Sequence, residues 1–257
     1  MLSLAAMTEA DLHAYLLAAV FLSAAATAVS LLFLSAPYGR HARAGWGPTV
    51  ETRLAWVVME SPAVLVFLAI YFAGAHALEL APLALMAMWQ AHYMQRTIVY
   101  PFTLRPGGRT PASVVAMGFL FNSINAYLNA RWLSEFGHYD TSWLWSPAFL
   151  IGLIVFITGY RINRWADHVL ANLRAPGETG YKIPRGGLYE LISCPNYFGE
   201  LLVWTGFAIA AGSVAGWSFV VFTAANLVPR AITHHRWYRT KFPDYPAERR
   251  AVLPFVL

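Results

Sequence analysis

Charge is scarce in this chain. Only 12% of its 257 residues are Asp, Glu, Lys or Arg, where a soluble domain carries roughly 25%. A soluble protein of this length still needs a charged surface, so lipid is the expected solvent for most of the exterior. Cysteine is limited to Cys194, which excludes an intramolecular disulfide. Lysine occurs only at 182 and 241, both in polar segments, so no helix offers a lysine for a retinal Schiff base. No Gly-x-Gly-x-x-Gly run stands between a strand and a helix, which excludes the common dinucleotide fold. Alternating segments of about ten residues are missing, and with them a membrane barrel. There are no internal repeats and no low-complexity tracts. No positive stretch precedes the first apolar run, which is long enough to span, so no cleavable signal peptide is expected.

What fills the chain instead is apolar: 58% hydrophobic residues, with ten Trp and thirteen Tyr, rings that favour the headgroup zone. A spanning segment needs about 20 mainly apolar residues. Seven are read, near 12–35, 54–74, 79–101, 112–134, 146–163, 191–212 and 215–234. Backbone groups in lipid must be satisfied internally, so these runs are predicted to be helices. Lys and Arg placement then sets the orientation. With the N-terminus outside, all of the 18 Lys and Arg except Arg131 fall on the inner side. The expected fold is an all-α integral membrane protein with seven transmembrane helices, N-terminus outside and C-terminus cytoplasmic. Residues 1–257 are read as a single membrane domain.

Positive-inside bias explains that count but not why basic residues pile into 161–250. Asn163 and Asp167 are four apart and share a helix face. A turn at 175–180 leads into Tyr181-Lys-Ile-Pro-Arg-Gly-Gly187, whose two glycines permit close backbone approach to a ligand. In Ser193-Cys-Pro-Asn-Tyr-Phe-Gly-Glu200, Asn196 and Glu200 again share a face. Arg230, His234 and Tyr238 stand at i, i+4 and i+8 and form one stripe. Ionisable residues at membrane depth are costly and usually functional. This mixture suits a dinucleotide, with Arg for phosphates, carboxylates for ribose hydroxyls and Asn for amide groups. His234-His235 has no companion cluster at zinc spacing, so no metal is expected.

At these residues the chain resembles the steroid 5α-reductase (3-oxo-5α-steroid 4-dehydrogenase) family. The matching pieces are Leu173-Arg-Ala-Pro-Gly-Glu178, Tyr181-Lys-Ile-Pro-Arg-Gly-Gly-Leu188, Asn196-Tyr-Phe-Gly-Glu200 and Arg230-Ala-Ile-Thr-His-His-Arg-Trp-Tyr238. Phe242-Pro-Asp-Tyr-Pro246 and Leu253-Pro-Phe255 fit as well. In the first half, Met59-Glu-Ser-Pro62 and His92-Tyr-Met-Gln-Arg-Thr-Ile-Val-Tyr100 match. The resemblance implies NADPH-dependent reduction of the Δ4 double bond of 3-oxo-Δ4 steroids, with the cofactor held from the cytosolic side. It implies that Asn163, Asp167, Arg174, Tyr181, Asn196, Glu200, Arg230, His234 and Tyr238 line the NADPH site, and that Arg96 and Arg105 reach its phosphates. Glu60 and Tyr93 would sit at the substrate ketone. Residues 1–135 would form most of the hydrophobic substrate pocket, and 136–257 the NADPH site. The animal members carry Gln immediately before the glutamate, whereas here it is Met59. That departure leaves the exact substrate contacts open but keeps the carboxyl at 60.

The chemistry follows on its own terms. Hydride addition to the β-carbon of an enone builds negative charge on the carbonyl oxygen, and preorganised donors there are worth about 3–4 kcal/mol each. The Tyr93 hydroxyl is a natural donor, and a neutral Glu60 among apolar residues is another. The cofactor carries the hard step. Partners expected are a steroid or other hydrophobic enone and the bilayer, with no nucleic acid and no metal; a monomer is compatible with the sequence. Each residue also has a plainer reading: Glu60 as a helix-start acid, Tyr93 as an aromatic-belt residue, Arg96 as a positive-inside anchor, Asn196 as a cap. Two other classes stay open, an isoprenylcysteine methyltransferase-like or sterol-reductase relative and a non-enzymatic seven-helix receptor or transporter.

Overall fold

The computed structural model describes residues 7–37, 39–175 and 177–257. Among these residues seven long helices follow one another in the order expected. Helix α1 (Glu9–Phe33) starts at a capping box, in which Thr8 Oγ1 accepts from Asp11 N–H at 3.1 Å and Asp11 accepts from Thr8 N–H at 3.0 Å. Helix α2 (Thr52–Tyr71) is capped by Glu51 and carries Pro62 inside. Helix α3 (Leu80–Met94) runs on into a wide turn, Gln95–Val99, and a single α turn, Tyr100–Thr103. Helix α4 (Ala112–Arg131) ends in a second wide turn, Trp132–Phe136. Helices α5 (Pro147–Ala171), α6 (Pro195–Ala211) and α7 (Val214–Lys241) complete the bundle. Among these, α1 and α2 are long and apolar enough to cross a membrane. Leu22, Leu32 and Phe33 of α1 are 73%, 66% and 82% exposed, the surface of a helix that meets lipid rather than water.

The boundaries differ from the apolar runs in informative ways. Helices α5 and α7 continue about two turns past 163 and 234, each turning one face of the continuation, Asp167 on α5 and Tyr238 on α7, to a cavity and leaving the other, with His168, Arg236 and Arg239, exposed. Helix α6 starts at Pro195 rather than 191: a tight turn, Gly187–Glu190, comes first, and Pro at the first helical position has the required φ and no N–H to satisfy. A two-stranded ribbon, β1 (Thr49–Glu51) against β2 (Arg109–Pro111), was not legible in three-residue strands.

Packing is closest between α5 and α6. A Cβ on Gly159 would meet the backbone of Val203 and Gly199, and one on Gly152 would meet Ala210 and Gly206. Glycines on both helices thus bring the two backbones into direct contact. The core is aromatic. Trp89 lies 4.8 Å from Phe67, 4.9 Å from Tyr93 and 5.2 Å from Trp204, centroid to centroid. Its indole N–H, a donor that must be satisfied when buried, reaches Ala63 O at 2.8 Å.

Both ends of the bundle are tied. At one end, His76 N–H donates to Ser134 O at 2.8 Å, Tyr139 O–H to Ala211 O at 2.7 Å and Trp143 Nε1–H to Ala210 O at 2.9 Å. At the other, the ribbon joins the segments before α2 and α4, and the C-terminal tail is clasped by Ser193 and Cys194 N–H groups donating to Arg250 O and Ala251 O. Arg249, expected as one of the inner-side charges, is 1% exposed; it donates to Pro184 O at 3.0 Å and Glu190 Oε2 at 3.1 Å.

Candidate active site

A cavity of about 700 Å³ opens at the ribbon end and is lined by residues of all seven helices. This is within the usual range for small-molecule sites. Its inner part is apolar, with Phe219, Phe222 and Phe121 on the wall; the rings of Phe121 and Phe222 stack at 3.7 Å. Its mouth is basic, lined by Arg40, Arg105, Arg174 and Arg230, with Arg96 buried further in.

Glu60 and Tyr93 face this cavity from neighbouring helices. Glu60 Oε2 accepts from Asn122 Nδ2 at 3.3 Å. Tyr93 is 3% exposed, wedged between Trp89 and Trp204, with centroids at 4.9 and 5.3 Å. The site therefore combines a carboxyl and a phenol at the boundary of its aromatic core.

Arg96 points inward because it sits in the wide turn that ends α3. Its guanidinium lies 4.3 Å over the Tyr100 ring and 4.7 Å over Trp56, contacts that favour Arg over Lys. Nη1 is 3.4 Å from Asp167 Oδ2. Asp167 Oδ1 in turn accepts from Asn196 Nδ2 at 3.2 Å. Glu200, one turn on from Asn196, also lines the cavity. Asn163 does not: it is 1% exposed, lies outside the cavity wall, and donates to Asn196 O at 2.9 Å. It sets the start of α6 from behind.

The stripe on α7 is joined into a chain. Arg230 Nη2 donates to Tyr197 Oη at 2.9 Å, Tyr197 Oη is 3.2 Å from His234 Nε2, and His234 Nδ1 is 3.1 Å from His41 Nε2. Neutral imidazoles can fill this chain, each with one donor and one acceptor nitrogen. Burial, and after it the cations Arg40 and Arg230, pull the His41 imidazole below its ordinary 6.5. Tyr238 stacks with the Arg40 guanidinium, which lies 4.7 Å from its ring and 4.8 Å from that of Trp237. Arg105 donates to Glu178 O at 2.9 Å and to Arg174 O, pinning the loop that carries Arg174 and Tyr181. In that loop the Lys182 ammonium holds the Glu178 carboxyl below its usual range. The Gly186–Gly187 pair serves another purpose than ligand approach. Both have positive φ, +88° and +49°, and a Cβ at 187 would strike the Trp165 ring at 2.8 Å. The close approach is to an indole, and neither glycine lines the cavity.

Sequence reading missed Arg40, counted there only as inner-side charge, and His41. It also missed Tyr197, Trp56 and Asn122. For Asn122 a signal existed: Asn122, Asn125 and Asn129 recur at helical spacing in an apolar run, and all three are buried.

The fold and cavity define a helical-bundle protein with an acid and a phenol on the wall of an arginine-lined pocket, the phenol packed into the aromatic core. Comparison with known proteins narrows this. Residues 108–257 match the family model described as 3-oxo-5-alpha-steroid 4-dehydrogenase. The chain is 45% identical to Steroid 5-alpha-reductase DET2 of Arabidopsis thaliana over 251 residues, 94% of this chain and 95% of that protein. It is 46% identical to 3-oxo-5-alpha-steroid 4-dehydrogenase 1 of Bos taurus, over 89% and 91% of the two chains, and 44% identical to its Homo sapiens counterpart, over 85% of each. The chain belongs to the 3-oxo-5-alpha-steroid 4-dehydrogenase family and is an enzyme of that oxidoreductase class.

Proposed function

We propose that the chain reduces the Δ4 double bond of 3-oxo-Δ4 steroids to 5α-reduced 3-oxo steroids with NADPH. The observation that carries the reading is the cavity itself. Every residue assigned by resemblance except Asn163 lines it, with the arginines at its mouth and Glu60 and Tyr93 next to its aromatic end. A dinucleotide phosphate fits the mouth: Arg40 Nη1 is buried there with no hydrogen-bond partner among the described residues, and an anion would supply one. Arg96, Arg105, Arg174, Arg230, Tyr181 and Tyr238 would hold the phosphates and rings, with Asp167, Asn196, Glu200 and His234 for the polar edges. Asn163 would act through Asn196.

Bound NADPH supplies a hydride for C5 of the steroid. This chain's part is to hold the C3 ketone against Glu60 and Tyr93. As the C5–H bond forms, the Δ4 electrons shift to build an enolate, and charge gathers on the ketone oxygen. The Tyr93 hydroxyl and the Glu60 carboxyl donate to that oxygen, and the enolate carbon C4 then takes a proton. The low-polarity wall of Phe121, Phe219 and Phe222 would bind the steroid body and keep the donors out of water, where they are worth more. The pocket would draw on α2–α4 together with Phe219 and Phe222 of α7, and the cofactor site on α5–α7 and their loops together with Arg40, Arg96 and Arg105, so neither site keeps to one half of the chain.

In the bilayer, seven spans with the N-terminus outside would place the cavity mouth at the cytoplasm. The up-and-down connectivity supports this, since it gathers every Lys and Arg but Arg131 at the cavity-mouth end. The test is turnover of the detergent-purified protein with testosterone or progesterone and NADPH or NADH. A 5α-reduced product, formed faster with NADPH, is expected. NADPH binding without product would move the search to other enones, and no NADPH binding would sink the reading.

A further inference from the structure

Glu60 needs a fixed carboxyl, and its own helix does not fix it. Pro62 has no N–H, so the Val58 carbonyl lacks its usual helical donor. Ser61 Oγ supplies that bond at 2.9 Å, which commits the hydroxyl beside Glu60 to the backbone. Support arrives instead from α4. Gly118 and Asn122 are one turn apart on the face that meets α2. A Cβ at 118 would collide with Met59 Cγ and Sδ, so the glycine lets the Met59 side chain lie flat against α4. One turn further, Asn122 Nδ2 donates to Met59 O at 2.8 Å and approaches Glu60 Oε2 at 3.3 Å. An amide nitrogen has two hydrogens, and here it has two acceptors. Asn122 is 7% exposed and lines the cavity.

We infer that Asn122 is a positioning residue for Glu60: its amide nitrogen, anchored on the Met59 carbonyl, fixes the rotation of the Glu60 carboxyl toward the substrate ketone. Without that bond the terminal torsion of a glutamate is broad and roughly two-fold, and the donor is no longer preorganised. The inference rests on Glu60 being the acid at the ketone, and it adds a third helix to the substrate end of the site. A residue in contact with α2 through both its backbone and its side chain also makes the spacing between α2 and α4 part of the catalytic geometry.

The test uses full-length purified protein and three variants. Asn122→Leu keeps the volume without a donor, Asn122→Asp keeps the shape but replaces the donor with an acceptor, and Glu60→Gln identifies signals. Both Asn122 variants are expected to lower kcat for testosterone about 10- to 100-fold, with NADPH affinity changed less than about twofold. The infrared carboxyl band that disappears in Glu60→Gln is expected to shift in Asn122→Leu. Wild-type kcat in Asn122→Leu would overturn the inference, and so would parallel losses of kcat and NADPH affinity, which mark a merely structural role. If the wild type reduces no steroid, the enone reading has failed, yet the infrared band still decides: an unmoved band removes the Asn122–Glu60 contact, and a shifted band keeps it.

Discussion

At one end of the bundle Arg131 is held by Glu9 through two bonds of 2.7 Å, with Glu135 at 3.6 Å. At the other end Arg40 lies against aromatic faces with one nitrogen unpartnered among the described residues. The contrast recurs around each. Near Arg131, carbonyls and hydroxyls of the linking turns bond one another, and the charges are paired locally. Near Arg40, arginines from several elements gather around a cavity with few acids, and Arg96 reaches Asp167 only at 3.4 Å. Charge paired within the protein closes a structure. Charge collected around a cavity without matching acids, and backed by aromatic rings that stabilise cations, is arranged for an anion from outside.

Four predictions sharpen or break that contrast. The largest effect is expected deepest in the cavity: Glu60→Gln and Tyr93→Phe should each lower kcat roughly 100- to 1,000-fold while NADPH affinity holds. Steady-state kinetics with cofactor titration checks this, and wild-type turnover in either variant removes that residue from the mechanism. Next comes the α5–α6 contact. Gly159→Leu must push the backbones of Val203 and Gly199 aside, an overpacking that costs about 1–3 kcal/mol or more. Thermal unfolding of the purified protein should show it, along with loss of NADPH binding as Asn196 moves.

The third prediction applies one substitution at both ends. Arg40→Met should weaken NADPH about 10-fold with little change in melting temperature. Arg131→Met should leave affinity alone and cost at most about 1 kcal/mol of stability. If the two variants behave alike, the ends are not functionally different. The smallest effect is on pH. His41 lies below its ordinary 6.5 in the folded state, so its neutral form is the one the fold prefers. The stability owed to burying a neutral His41 is thus fully present above 6.5 and is lost as pH falls toward the folded value. Arg40, Arg43 and Arg230 oppose its protonation, and His234 lies against it at 3.1 Å. The melting temperature should decline through this acid range, and His41→Gln should flatten the decline.

Much of the architecture was legible because lipid imposes a simple rule on sequence: an apolar run of sufficient length must be helical. Among the described residues the seven runs correspond to seven long helices, of which α1 and α2 are long and apolar enough to cross a membrane. The candidate site was legible where motifs were dense. Asp167, Asn196, Glu200 and the Arg230–His234–Tyr238 stripe each sit on a regular helix, where spacing predicts a shared face. Arg40 and His41 were hidden because they sit in a single 3-10 turn after α1, Gly39–His41, too short for any periodicity to say which way its side chains point. Asn163 shows the converse: it shares the face of Asp167, but one turn earlier that face is covered by the start of α6.

The sequence alone determined the class of solvent, the number and order of the helices and the family chemistry, since these depend on composition, run length and local motifs. The tertiary structure alone decided which polar groups share a cavity. Arg40 lies against Trp237, Arg96 reaches Asp167 and Asn122 supports Glu60 across separations of 62 to 197 residues. Such pairs form only when helices pack, and glycine contacts such as Gly118 on Met59 and Gly159 on Val203 set how closely they do.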